Sequence, residues 1–389
     1  MTWWQVLQAA AGLLVLSGAG YFVWCLVSLI LENRAYAQLT DTKDLKTQLA
    51  DWAQAYVKKK KLVRLTVGLV QHGKTHVVTF GDDAPPAADT PPGRVIYEIG
   101  SVTKAFTGLA LAHLEKAGHA SLDDPITKWL PAVLTLPEDA QAITLKQLAT
   151  HTAGMPRLPG NFFAYQKDPA NPYKEYSEAA LFEALAKVKL NGAPGAKSAY
   201  SNFGMGLLGH VLARRQGTDF EGLLRQAVTG PLLMPDTCVV LDPMQMPRFL
   251  VGKKSEGQPG PRWEFDALAG AGALHATADD LLNFVRANLA APAGPLGAIL
   301  ARAQEVHYKE NDMVAHGLGW VIYHDSGKKL TYHWHNGGTG SYVSFVGFDK
   351  EHQVGVVLLS NHGDAFLGDT SVDRMAIKLL ITATKVSWE

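Results

Sequence analysis

The chain has 389 residues, 47% of them hydrophobic and 19% charged, with 36 basic residues balancing 36 acidic ones. That length holds one large domain or two smaller ones, and the balanced charge gives no case for nucleic-acid binding. Its two cysteines, Cys25 and Cys238, are too far apart in unlike surroundings to suggest a disulfide. No Cys-x-x-Cys or His-Glu-x-x-His spacing occurs, so neither a metal nor another cofactor is expected.

Trp3 to Leu31 is an uncharged apolar run of about 29 residues, longer than the roughly 20 that span a bilayer. One N-terminal transmembrane helix is therefore expected, with residues 1–34 as a membrane anchor. The alternative is a cleaved secretory signal ending at Ala35-Tyr36-Ala37. Against it, no basic residue precedes the run, and the run exceeds the usual signal core of about 7–15 residues. Arg34, Lys43 and Lys46 follow the run, and the positive-inside rule read literally places the remainder in the cytoplasm.

Residues 38–389 form the second predicted unit. Asp41 to Tyr56 reads as an amphipathic helix through Leu45, Leu49, Trp52 and Tyr56. The following Lys58 to Lys61 read as a solvated, dipole-matched helix end, with contact to anionic lipid or a wall polymer as the alternative. Leu62 to Leu69 and Thr75 to Phe80 read as strands around a His72-Gly73 turn. Asp82 to Gly93, with four prolines, reads as a surface loop. Tyr97 to Gly100 reads as a strand end and turn before a buried helix over Ala105 to Leu114. From about 125 to 265 helical patterns dominate, at Ser177 to Val188, Phe203 to Arg215 and Phe220 to Val228. Short strands then return at Gly317 to Tyr323, Leu330 to His335, Tyr342 to Phe348 and Val354 to Leu359, before a helix over Gly368 to Thr384. Strands at both ends with helices between them imply an α+β fold, one sheet with an inserted all-α lobe.

Chemistry concentrates at three places. In Ser101-Val102-Thr103-Lys104 the serine lies at a helix start and the lysine three residues on shares its face. Serine needs an adjacent base to act as a nucleophile, and a buried lysine has the lowered pKa to be one. Tyr200-Ser201-Asn202 and His335-Asn336-Gly337-Gly338-Thr339-Gly340 follow in order. Each has a bland reading alone: Tyr200 as core, Asn202 as a helix N-cap, His335 as a strand histidine. Gly204-Met205-Gly206-Leu207-Leu208-Gly209 matches a dinucleotide fingerprint, but no strand precedes it. No Gly-x-Ser-x-Gly elbow occurs.

Ser-x-x-Lys, Tyr-Ser-Asn and His-Asn-Gly in this order resemble the class C β-lactamase family, which also holds DD-carboxypeptidases, D-amino-acid peptidases and carboxylesterases. Leu122 to Ile126, Ile143 to Pro156 (with His151, read as structural) and Ala271 to Asp280 also resemble family landmarks. The resemblance covers roughly residues 45–385. It implies a β-lactamase/transpeptidase-like antiparallel sheet flanked by helices, with the active site between sheet and lobe. It implies a serine hydrolase with Ser101 as nucleophile, Lys104 as its base and Tyr200 as the proton relay. The backbone N–H groups of Ser101 and Gly338 would form the oxyanion hole. Asn202 would hold Lys104 or a substrate amide. His335 would bind a substrate carboxylate or orient Tyr200. Asn336 stands in place of the usual hydroxyl residue, and Gly337 would let the strand approach the substrate. The substrates implied are cell-wall peptides, β-lactams or esters, with peptidase or esterase favoured over efficient β-lactamase. A slow penicillin-binding sensor and a non-catalytic scaffold are the alternatives. The resemblance also places the catalytic domain in the periplasm, on the bacterial inner membrane, against the literal charge rule.

Overall fold

A two-residue turn starts the sheet. β1 (Arg64–Gln71) and β2 (Lys74–Gly81) pair antiparallel with Gln71 opposite Lys74. His72 and Gly73 between them both take positive φ, 49° and 79°, the conformation of the tight hairpin turn that fits strand twist. The computed structural model describes residues 43–388 except 88, 255–256 and 364–370. The apolar run of Trp3 to Leu31 lies outside the described residues, and among these no helix is long and apolar enough to cross a membrane.

In chain order the remaining strands are β3 (Ile96–Glu98), β4 (His275–Thr277), β5 (Tyr308–Lys309), β6 (Val314–His316), β7 (Val321–Asp325), β8 (Leu330–Gly338), β9 (Val343–Asp349) and β10 (Val354–Ser360). Eight of them form one antiparallel sheet in the order β2-β1-β10-β9-β8-β7-β6-β5, so both chain ends contribute, and β3 pairs with β4 apart from it.

The longer helices are α1 (Leu45–Val57), α2 (Thr103–Lys116), α3 (Glu178–Ala186), α4 (Asn202–Arg215), α5 (Ala278–Leu289), α6 (Pro295–Gln304) and α7 (Ser371–Ala383). β1 and β10 are buried along their whole length, because helices cover both faces. Leu65, Val67 and Leu69 of β1, with Val354, Val356 and Leu358 of β10, pack in one core with α1 and α7. Val70, Val357 and Leu359 face the other core, with α2 and α5. That alternation is the period of two that a strand imposes on its side chains.

Between β3 and β4 the described residues carry helices and loops, including short helices at Leu145–Ala149, Phe162–Tyr165 and Phe220–Leu224. The Phe220 to Val228 helix expected from the sequence is α-helical only to Leu224 and continues as a π-turn over Arg225–Thr229. α5 and α6 are missing from the sequence reading. Thr277, whose side chain accepts from the Asp280 N–H, and the acidic first turn Asp279-Asp280 are start signals for α5.

The Gly204-to-Gly209 pattern is a packing stripe. A Cβ on Gly206 would lie 2.9 Å from Leu268 Cα, and one on Gly209 would lie 2.8 Å from Gly270 Cα. The absent side chains let α4 lie directly on the 268–271 segment.

Candidate active site

Ser101 sits in a 3-10 turn, Gly100–Val102, that leads into α2. The turn requires Gly100, whose φ is +48°. A Cβ there would also lie 2.7 Å from both N and O of Gly338. The serine turn and the end of β8 therefore touch through backbone.

Three groups converge on the serine. Lys104 Nζ donates to Ser101 Oγ at 2.9 Å and to the Ala271 carbonyl at 2.6 Å. The Tyr200 hydroxyl donates to the same Oγ at 2.6 Å. Lys104 Nζ also lies 4.7 Å from the centre of the Tyr200 ring. Lys104 is fully buried. Burial, then the charge of Arg157, holds its amine well below the ordinary lysine range. Burial pushes the Tyr200 phenol up to about 12, so it is protonated at neutral pH. The Ala271 carbonyl has no side-chain signature, and sequence reading missed its contact with Lys104.

Tyr200 is clamped by His151, a residue at φ 59°. The His151 carbonyl accepts from Ala199 N–H at 2.8 Å, and its Nδ1 accepts from Ser201 N–H at 3.2 Å. The two rings lie 4.6 Å apart. The structural part expected of His151 is thus to grip the backbone on both sides of Tyr200.

Asn202 departs from expectation. The N-cap of α4 is Ser201, whose Oγ accepts from Gly204 N–H. Asn202 is the first helical residue, and its side chain is free of capping. Its amide donates to the Tyr173 hydroxyl at 3.0 Å rather than binding Lys104. Its buried Oδ1 has no hydrogen-bond partner.

β8 corrects three further expectations through its alternation. His335 faces the serine side, its ring 6.4 Å from that of Tyr200. Its Nδ1 donates to the Asn336 carbonyl at 2.6 Å, which leaves Nε2 as an acceptor. Burial, then Lys104, lowers its pKa to about 3. It is a neutral imidazole and supplies no positive charge for a carboxylate. Asn336 points to the opposite face, where its amide donates to Asp373 of α7 at 2.8 Å. Successive strand residues cannot both face one site. Gly337 serves packing rather than substrate approach: a Cβ there would lie 2.0 Å from the Ile99 carbonyl oxygen and 2.4 Å from Ser344 Oγ.

Gly338 differs from its neighbours. Thr339 N–H donates to the Tyr342 carbonyl. One residue earlier in an antiparallel ladder, Gly338 therefore turns its N–H away from β9. Pairing with β7 ends at Trp334, short of this position. Among the described residues no group of acidic, histidine or cysteine side chains could hold a metal ion.

The sheet, the helical region beside it and a serine gripped by lysine and tyrosine describe a serine hydrolase. The β-lactamase family model matches residues 49–378, and the chain belongs to that family. Among curated relatives, the D-alanyl-D-alanine-carboxypeptidase/endopeptidase AmpH of Escherichia coli (strain K12) is 26% identical over 294 residues, covering 72% of this chain and 74% of that protein. A β-lactamase of Pseudomonas fluorescens is 28% identical over 287 residues, covering 72% and 75%. The crystal structure of a β-lactamase/D-alanine carboxypeptidase from Pseudomonas syringae superposes with a TM-score of 0.72 at 20% identity, covering 87% of this chain and 98% of that one. That likeness shows the α+β fold.

Proposed function

We propose that Ser101 is the nucleophile of an acyl-enzyme reaction on peptides ending in D-amino acids, with β-lactams as alternative acylating agents. The observation that carries this reading is the placement of Ser101 Oγ 2.9 Å from Lys104 Nζ and 2.6 Å from the Tyr200 hydroxyl. Lys104, as neutral amine, takes the serine proton while Oγ bonds to the substrate carbonyl carbon. Tyr200, a phenol with a raised pKa, gives its proton to the leaving nitrogen, and the proton held by Lys104 restores it. The N–H groups of Ser101 and Gly338 receive the oxyanion, and a donor of this kind contributes about 3 kcal/mol. Water then releases the acyl group by the reverse proton path. The relatives named as carboxypeptidase/endopeptidase and β-lactamase support this substrate class.

A second reading is a carboxylesterase. It is favoured by the neutral His335 and by the commitment of Asn336 to Asp373, which leave β8 without a cation. Intact-protein mass spectrometry after incubation with penicillin tests acylation: one adduct on the wild type and none on Ser101→Ala are expected. An adduct on the alanine variant would overturn the nucleophile. The rate at which the adduct is lost separates an enzyme from a sensor, and turnover of a D-Ala-D-Ala peptide against a short-chain ester separates the two hydrolase readings. The domain division, 1–34 as anchor and 38–389 as hydrolase with an α-lobe near 125–265, and a periplasmic location belong to the same proposal. They are supported by the uncharged run of Trp3 to Leu31. A mature chain starting at Gln38, or a catalytic domain protected from protease in spheroplasts, would refute the anchor or the orientation.

A further inference from the structure

The two N–H groups assigned to the oxyanion belong to different sheets. Ser101 follows β3, which pairs with β4, whereas Gly338 ends β8 of the eight-stranded sheet. Among the described residues no strand ladder joins the two sheets, so other contacts must fix one donor against the other. The demand is strict, because preorganised donors act only at the position the oxyanion will occupy, and a misplacement of about 1 Å can cost about 10²-fold in rate.

Consecutive residues ahead of the serine carry such contacts. The Tyr97 hydroxyl shares a hydrogen bond of 2.8 Å with Thr66 of β1. The Glu98 carboxyl lies beside the hydroxyl of Thr339, the residue after Gly338. The Ile99 carbonyl accepts from the Ser344 hydroxyl of β9 at 2.7 Å. This last contact grips the turn itself, because the same carbonyl accepts from Val102 N–H at 3.2 Å and so closes the chain around Ser101. One donor already satisfies that carbonyl, so the Ser344 bond is additional. Ser344 is fully buried and stands directly opposite Gly337 in the β8–β9 ladder. The close approaches of Gly100 to Gly338 and of Gly337 to Ile99 limit how near the two backbones can come. They do not hold them together, whereas the Ser344 hydroxyl does.

We propose that Ser344 is a positioning residue for the oxyanion hole: through the Ile99 carbonyl, its hydroxyl holds the Ser101 N–H at the spacing from the Gly338 N–H that one oxyanion can bridge. It acts through backbone rather than on the reacting atoms. The inference rests on the acyl-serine reading above and names what assembles its anion site.

The test uses penicillin isotope-labelled at its lactam carbonyl. Once that carbon is esterified to the enzyme, hydrogen bonds from the oxyanion hole polarise its C=O and lower the infrared stretching frequency. On Ser344→Ala the band moves to higher frequency. Saturation kinetics then show the acylation rate constant falling about tenfold with the noncovalent dissociation constant unchanged, less than the about 10²–10³-fold that outright loss of one donor costs. Thr237→Val is the control. It deletes another buried hydroxyl, one bonded to Asp280 at 2.8 Å, and should lower stability in urea without moving the band or the rate. Should Ser344→Ala not fold, Ser344→Cys, a weaker donor, is read for the same upward shift. An unshifted band in the folded variant, a loss carried by the dissociation constant alone, or an equal shift in Thr237→Val would overturn the proposal. Failure of the underlying reading looks different: Ser101→Ala would then still be acylated. A wild type that penicillin does not acylate would overturn both.

Discussion

His335 gives its Nδ1 proton to the carbonyl of Asn336, its own neighbour on β8, across 2.6 Å. Burial, then the charge of Lys104, lowers the ring's pKa to about 3, against the smaller upward pull of that hydrogen bond. The sequence alone suggests a histidine titrating near pH 6.5 that would lose its hold on a substrate carboxylate between about pH 6 and 8. The structure reverses that expectation. The pH profiles of kcat/KM for a free-carboxylate peptide and for a neutral ester should run parallel from pH 6 to 8. A Michaelis constant that rises for the peptide alone would show that His335 carries a proton in this range.

Tyr200→Phe removes the group that lies 2.6 Å from Ser101 Oγ. Loss of a positioned general acid costs roughly 10²–10⁴-fold in rate. The loss should be largest for a peptide, whose amine leaves only when protonated, and smaller for an aryl ester. Single-turnover acylation rates on both substrates check this. Equal losses would mean that the phenol orients Ser101 and does not protonate the leaving group.

Gly337→Ala should destabilise the fold and displace the serine turn, because the new Cβ would meet the backbone oxygen of Ile99 at 2.0 Å. Overpacking of this kind costs about 1–3 kcal/mol. Gly118→Ala is the control: its φ is +74°, but nothing lies within 4 Å, so only conformational strain applies. Urea denaturation of both variants, with acylation rates, should show the larger stability loss and a slower reaction for Gly337→Ala. A Gly337→Ala variant as active and stable as the wild type would show that β8 and the Ile99 backbone can separate freely.

Glu98 is buried, with Oε1 accepting from Trp263 N–H at 2.9 Å and the Thr339 hydroxyl beside the carboxyl. Burial raises its pKa to about 7. A carboxyl whose folded pKa lies above its unfolded value adds stability at low pH. That stability is lost as pH rises from near 4.5 to near 7, since the folded state then binds the extra proton. Glu98→Gln keeps the acceptor and removes the titration. The stability difference between variant and wild type should therefore grow in the variant's favour by on the order of 3 kcal/mol between pH 5 and pH 8. A difference independent of pH would place the Glu98 titration outside this window.

Much of this protein was legible in the chain alone. Apolar periodicity marked the hairpin at His72-Gly73, the buried α2 and the strands β8 to β10, because burial of one face imposes a repeat on sequence. The ordered Ser101, Tyr200 and His335 motifs pointed to one site, and the structure brings their side chains together. Other features had no local signature. The Ala271 carbonyl that holds Lys104 is backbone, identical in kind at every residue. Whether Ser201 or Asn202 caps α4 depends on which backbone N–H each side chain reaches. Arg157 stands over Tyr200 only because the 156–157 segment is bonded to the start of α4. The charge of His335 follows from burial, which only the packed protein has. Strand parity already forbade His335 and Asn336 from facing one site together. Which of them faced Ser101 was decided by the pairing of His335 with Val346 and of Asn336 with Phe345, since register sets the face toward which every side chain of a strand points.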